Sequence, residues 1–189
     1  MQSNNKFFVI TSLMVIGACA RLMPHMPNFT PLESITIFGA AYLSQRYYAV
    51  LIPVLVIYFS DFIINNTVAR SFFDQDGIVW FDQYMIFNVL AIFAIVLFSS
   101  RILKKVNVLN VVYATLGASV LFFLITNFGS WASEKSIYPS DFNGLLMSYT
   151  AGLPFFRTSL LSNAVFSLIL FGGYEVIQYL SMKKAFSKI

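Results

Sequence analysis

The sequence alternates between long apolar runs and short polar segments along its whole length. A helix needs roughly 20 residues to cross the ~30 Å apolar core of a bilayer, and most of these runs approach that length. The pattern therefore predicts an all-α integral membrane protein with a single domain over residues 1–189. We predict a bundle of about six transmembrane helices, one of them (32–44) short or re-entrant, at residues 7–23, 32–44, 46–65, 83–101, 108–126 and 158–181.

Residues 127–157 interrupt this pattern with closely spaced Gly, Pro, Trp and Tyr. Glycine permits tight backbone, proline fixes it, and the aromatic rings offer flat surfaces with a polar edge. We predict an ordered outer loop that serves as a lid or pocket wall. Asn127 and Trp131 either face a ligand there, or end a helix and anchor it at the membrane interface.

Composition supports a membrane location. The chain is 58% hydrophobic and 11% charged, with a mean hydropathy of +0.75, which is far from the balance of a soluble domain. The net charge of +4 does not indicate nucleic acid, because the basic residues lie at the ends of apolar runs. The single Cys19 excludes an intrachain disulfide and a cysteine-rich metal site.

Lysine and arginine positions give the predicted orientation. With both termini in the cytoplasm, eight of the 12 basic residues fall on the inner side and four on the outer side. Cytoplasmic loops carry the excess of Lys and Arg in membrane proteins. This count supports an even number of spans.

In that orientation, polar residues of separate helices share one depth near the outer face. Such residues usually face the bundle interior or a cavity, because exposing them to lipid is costly. Arg21 and Asp61 are the natural pair, either as a structural salt bridge or as the polar floor of a pocket. His25 is either a solvated loop residue or a contact to a substrate, and alone it defines no metal site.

Sequence motifs for catalysis are missing. The chain has no G-x-S-x-G, no Walker lysine, no H-E-x-x-H and only one His. We therefore predict neither an enzyme nor a bound cofactor. Without an energy-coupling motif, a transporter of this kind moves solute downhill, couples to an ion, or borrows an ATPase.

Three stretches carry a resemblance to known proteins: RLMPHMPNFTP at 21–31, FGAAY at 38–42, and the segment 122–156, which contains FFLITNFGSW and GLPFF. They resemble a family of small uncharacterised bacterial membrane proteins placed near the substrate-binding S-components of energy-coupling factor (ECF) transporters. The resemblance implies an S-component-like bundle in the bacterial inner membrane, with an outward-facing vitamin or micronutrient pocket roofed by loops. The residues that we predict to bind substrate, by position or by pairing, are Arg21, His25, Asn28, Thr30, Asp61, Asn127, Trp131, Tyr138 and Tyr149.

The resulting hypothesis is a substrate-binding membrane subunit of a micronutrient uptake transporter. Its expected partners are a small-molecule nutrient, the bilayer, and an ATP-driven coupling module or other membrane subunits, and no nucleic acid. The first helix departs from the small-xxx-small motif of S-components, since Arg21 follows Gly17 and Leu22 follows Ala18 at that spacing. Two alternatives are an accessory subunit that docks a partner through residues 126–156, and an intramembrane enzyme using Asp61, His25 and Asp141.

Overall fold

A computed structural model describes residues 3–22, 26–72, 77–134 and 136–186. Over these ranges the chain is helical and contains no strand. Two short 3-10 turns follow the first and third helices. The six α-helices are α1 Ser3–Cys19, α2 Leu32–Tyr42, α3 Arg46–Asn66, α4 Met85–Ile102, α5 Val108–Ala132 and α6 Phe142–Phe186.

Four of the helices, α3 to α6, are long and apolar enough to cross a membrane. The protein is therefore an all-helical, multi-pass membrane protein, as the hydropathy pattern predicts. α1 is a shorter apolar helix of 17 residues, and α2 has only 11 residues. The predicted helices 46–65 and 83–101 lie within two residues of the observed α3 and α4.

The short helix α2 forms the centre of the bundle. It contacts each of the other five helices, and its first eight residues, 32–39, are all buried. Phe38 is fully buried and its ring meets those of Phe171 and Tyr174 edge-on, with centroids 5.3 and 5.7 Å apart. Such aromatic pairs contribute about 0.5–1.5 kcal/mol each beyond the area that they bury. α2 is therefore a core element that the surrounding helices enclose.

The predicted ordered loop at 127–157 is wrong. α5 continues to Ala132 and α6 begins at Phe142, so that only residues 133–141 connect the two helices. In lipid the backbone must form its hydrogen bonds internally, and this requirement overrides the weak helix propensity of glycine. The glycines allow close packing: a Cβ at Gly129 would lie 2.3 Å from the Phe87 ring.

α6 is a single helix of 45 residues with Pro154 inside it. At a rise of ~1.5 Å per residue such a helix is ~67 Å long. A bilayer measures only ~40–45 Å including its headgroups. α6 therefore extends beyond the membrane, and the predicted helix 158–181 covers only its second half.

Candidate functional site

A cleft of about 190 Å³ opens where α5 ends and α6 begins. One water occupies ~30 Å³ in the liquid, so this space corresponds to roughly six water molecules. α5 and α6 form two of its walls, and residues ahead of α2 and α4 complete it. The polar side chains along it belong to Asn28, Tyr84, Thr126, Asn127, Ser130, Tyr138 and Ser159.

The rest of the cleft wall is aromatic and aliphatic. Phe122 and Phe123 come from α5, and Phe155 and Phe156 come from α6. Among the described residues, no Asp, Glu, Lys or Arg lines the cleft. The site therefore offers hydrogen-bonding groups and ring faces without a formal charge.

The Asn127 side chain lies between α5 and α6. Its Nδ2 donates to the Phe123 carbonyl at 2.8 Å, within its own helix. Its Oδ1 faces Gly152, where a Cβ would lie only 2.2 Å from that oxygen. Glycine at position 152 is therefore what allows the Asn127 amide to lie between the helices.

Asn28 has a backbone conformation that few residues adopt. Its φ angle is +59°, in the left-handed region. Asn and Gly enter this region more readily than other residues, because other side chains crowd the following carbonyl. The chain uses this turn to bring Asn28 to the cleft directly before α2.

Three hydrogen bonds fix the α5–α6 hairpin around the cleft. The Trp131 indole donates to the Pro139 carbonyl at 2.9 Å, and the Tyr149 hydroxyl donates to the Leu124 carbonyl at 2.9 Å. The Ser148 hydroxyl donates to the Asn127 carbonyl at 2.6 Å. Trp131 and Tyr149 therefore support the hairpin and are not among the residues that line the cleft.

Tyr84 closes the cleft from the start of α4. Its hydroxyl donates to the Thr126 carbonyl at 3.1 Å. Burial raises the pKa of the Tyr84 phenol above its ordinary value, because the phenolate would lose its solvation. The hydroxyl therefore stays a neutral donor and ties α4 to α5.

Behind the cleft lies a buried acid, Glu33, in the first turn of α2. It is 4% exposed. Its Oε1 accepts from the Ser159 hydroxyl, and its Oε2 accepts from the Ser119 hydroxyl at 2.6 Å and from Asn163 Nδ2 at 3.0 Å. Ser159 also lines the cleft, so that one hydroxyl joins the open space to the buried carboxyl.

The polar cluster continues past Asn163. The Ser34 hydroxyl donates to Asn163 Oδ1 at 2.6 Å, and the Ser167 hydroxyl donates to that of Ser34 at 3.3 Å. Thr115 Oγ1 donates to Ser167 Oγ at 3.2 Å. Polar and ionisable groups inside a membrane bundle usually mark a substrate or ion pathway.

The sequence analysis missed Glu33 because it treated residues 32–44 as one apolar segment. A usable signal exists in the neighbouring helices. Ser159, Asn163 and Ser167 recur every four residues on α6, and Thr115 and Ser119 do so on α5. That spacing puts each set on one helix face, which indicates a shared polar partner.

The predicted site residues divide into several groups. Asn28, Asn127 and Tyr138 come together in the cleft. Thr30 lies beside the buried cluster, and its carbonyl accepts from the Ser162 hydroxyl at 2.8 Å. His25 lies outside the described residues.

Arg21 and Asp61 form the ion pair that their opposite charges predict. Arg21 Nε also donates to the Ser60 hydroxyl at 2.6 Å, which attaches the end of the first helix to α3. Neither residue lines the cleft. The space beside Asp61 measures only about 10 Å³, which is at the lower limit for a single water.

Asp141, the third acid of the enzyme alternative, is used locally. Its Oδ1 accepts from the Gly144 backbone amide at 2.8 Å at the start of α6, as an N-terminal cap does. Within the described part of the chain, no group of three or more His, Cys, Asp or Glu side chains is arranged to hold a metal ion.

No curated protein and no solved structure matches the chain. One family model matches residues 1–185, almost the whole sequence. The chain therefore belongs to DUF6580, a family of unknown function.

Proposed function

We propose that the protein is the substrate-binding membrane subunit of an uptake transporter in the bacterial inner membrane, and that the cleft holds the solute. The observation that carries this proposal is the double role of Ser159. It lines the cleft and donates to Glu33, so that an open space of about 190 Å³ leads to an ionisable group inside an apolar bundle. An ionisable residue at such a position is a functional-site hypothesis by default.

The cleft indicates the chemical class of the solute. Its described lining has amide and hydroxyl groups together with four phenylalanine rings, without a formal charge. An uncharged solute with several hydrogen-bonding groups and one flat apolar face matches both. The amide of Asn127 and the hydroxyl of Tyr138 are the groups best placed to bind its polar side.

Size limits the solute further. Pockets for drug-sized ligands usually measure about 300–1,000 Å³. The cleft, at about 190 Å³, is smaller. This favours a nutrient with a single ring over a polycyclic vitamin.

Gly152 provides a test of the solute site. An alanine there places a methyl group against the Asn127 amide and pushes that amide into the cleft. Gly173 lies on the same helix, and a Cβ there meets nothing within 4 Å. Both substitutions gain the same helix propensity, about 1 kcal/mol, so their difference isolates the effect on the cleft.

The experiment is mass spectrometry of small molecules extracted from the gently purified protein. We expect the native protein and Gly173→Ala to retain the same compound. Gly152→Ala should retain at least about tenfold less, a loss that corresponds to ~1.4 kcal/mol of binding. Equal retention by both variants would contradict the proposal, because the compound would then remain bound in Gly152→Ala, whose cleft is filled.

A further inference from the structure

Two clusters of polar side chains lie on opposite sides of the Asn163 amide. The cleft-side cluster contains Glu33 with the hydroxyls of Ser119 and Ser159. The groove-side cluster contains the hydroxyls of Ser34, Thr115 and Ser167. The side chains of Glu33, Ser34, Asn163 and Ser167 are each less than 5% exposed, so the centre of the polar network is buried.

Each cluster borders a different open space. Ser159 lines the cleft at the C-terminal end of α5. Thr115 and Ser167 line a groove of about 680 Å³ that α5 and α6 form nearer the other end of α5. The same groove is lined by Glu175, which accepts from the Tyr42 hydroxyl at 3.3 Å. A chain of polar groups therefore reaches from the cleft to the groove.

The amide of Asn163 blocks proton transfer along this chain of polar groups. A hydroxyl oxygen both donates and accepts, and can pass a proton on. An amide carries its donors on nitrogen and its acceptor on oxygen, so a proton cannot enter at one atom and leave from the other. Asn163 Nδ2 donates to Glu33, Ser119 and the Thr115 backbone carbonyl, whereas its Oδ1 accepts from Ser34 and, at 3.4 Å, from Ser167. In the described part of the bundle, every side-chain hydrogen bond that links the two clusters involves Asn163.

The surroundings of Glu33 favour a proton over a metal ion. Hard cations need several oxygen ligands. At Glu33 the Asn163 N–H group points at Oε2 from 3.0 Å and occupies one of those positions. The hydroxyls of Ser119 and Ser159 can turn to donate to a carboxylate or to accept from a carboxylic acid, which suits both protonation states.

Among the described residues, no charged side chain of the helices that pack around Glu33 forms a hydrogen bond or an ion pair with its carboxyl. α5 and α6 present the neutral side chains of Ser119, Ser159 and Asn163. On the side of α1 and α3, Arg21 and Asp61 bond to each other. From α4, the nearby titratable group is Tyr84, whose hydroxyl donates to a backbone carbonyl. No ion pair joins Glu33 to any residue that the structure describes, and a buried carboxylate without a counter-charge is costly.

We infer that Glu33 is a proton-binding site that exchanges with the cleft alone, and that Asn163 insulates it from the groove. In the transfer, a hydronium ion in the cleft gives a proton to Ser159 Oγ, and the hydroxyl's own proton passes to Glu33 Oε1. A neutral water and a neutral carboxyl remain. The inference deepens the proposed function by naming the ion that accompanies transport.

Proton flux into vesicles tests this inference without any solute, so that it can fail separately from the proposed solute site. The full chain is reconstituted in liposomes with an entrapped pH-sensitive dye, and a pH step is applied. The native protein should add no flux to that of empty vesicles. Asn163→Ser replaces the amide by a hydroxyl and leaves room for water. This variant should raise the flux to at least about ten times that of empty vesicles.

Two further variants decide the origin of that flux. Asn163→Ser combined with Glu33→Gln should return the flux to the native level. Asn88→Ser changes another buried asparagine, on α4, that forms no hydrogen bond with Glu33, and should leave the flux unchanged. A folded Asn163→Ser protein without added flux would overturn the inference, as would a flux that persists without Glu33.

Infrared spectroscopy of the native protein keeps the inference testable if the Asn163→Ser variant does not fold. The carbonyl stretch of the protonated Glu33 carboxyl should disappear on raising the pH. It is identified as the band that Glu33→Gln lacks, because the other acidic side chains absorb in both proteins. A spectrum in which the native protein and Glu33→Gln have the same pH-dependent carboxyl band would overturn the inference.

Discussion

Replacement of Glu33 separates the structural from the functional contribution of the buried acid. The carboxylate accepts three hydrogen bonds, from Ser119, Ser159 and Asn163. Interhelical hydrogen bonds in membrane proteins contribute on average about 0.6 kcal/mol each, so Glu33→Ala should lower the free energy of unfolding by about 2 kcal/mol from this source. The empty space left behind adds to that loss.

Glu33→Gln is the matched control for that stability measurement. A glutamine oxygen can accept from Ser119 and Asn163 while its nitrogen donates to the Ser159 hydroxyl, which turns to accept. We expect this variant to lie within about 1 kcal/mol of the native protein, because at most one or two bonds of about 0.6 kcal/mol are weakened.

The assay is reversible unfolding in mixed micelles with increasing denaturing detergent, followed by circular dichroism. The expected order of stability is native protein, then Glu33→Gln, then Glu33→Ala well below both. Equal stability of Glu33→Ala and Glu33→Gln would refute the reasoning, because it would mean that the three donors do not depend on the carboxylate.

Substitutions at three other places test the surrounding structure by thermal unfolding. Asn28→Ala should be less stable than Asn28→Gly by about 1 kcal/mol, because only the alanine is strained at a positive φ; equal stability would contradict the left-handed turn. Arg21→Ala and Asp61→Asn should each destabilise, and the double variant should show a coupling of up to about 1 kcal/mol for this partly exposed pair. Full additivity would argue against the ion pair. Trp131→Phe should cost about 1 kcal/mol through its lost bond to Pro139, yet keep the extracted compound. Loss of the compound without loss of stability would instead place Trp131 in the binding site.

Hydropathy and charge were sufficient to predict helices α3 and α4 and the Arg21–Asp61 ion pair. α3 and α4 are mostly apolar and end at polar residues, so their bounds follow from the length needed to cross a bilayer. The Arg21–Asp61 pair follows from opposite charges at similar depth. Asn28, Asn127 and Tyr138 were all predicted to bind substrate, and they line one cleft. Their role in binding a solute stays a prediction.

The error at 127–157 has a physical cause. Gly and Pro usually interrupt helices in water, where a freed backbone group can bond to solvent. Inside a bilayer that option is lost, and Gly129 and Gly152 remain helical and serve as contact points for Phe87 and Asn127. A sequence window alone does not reveal which neighbour fills the space beside a glycine.

Glu33 was missed for a related reason. α2 looks like an incomplete span because it has only 11 residues, yet it is the element that all others enclose. Its acid is compatible with the interior only because hydroxyls and an amide from α5 and α6 bond to it. Those partners are about 86 to 130 residues away in sequence, and no local pattern joins them to Glu33.

The central claim is that a cleft accessible from water leads to Glu33 through Ser159, and thiol labelling measures this access directly. In a Cys19→Ser background, Ser159→Cys and the fully buried Ser34→Cys are each exposed to a charged, water-soluble thiol reagent in intact vesicles. We expect the reagent to label Ser159→Cys from one side of the membrane and to leave Ser34→Cys unlabelled. An unreactive Ser159→Cys, or equal labelling of both positions, would contradict the account.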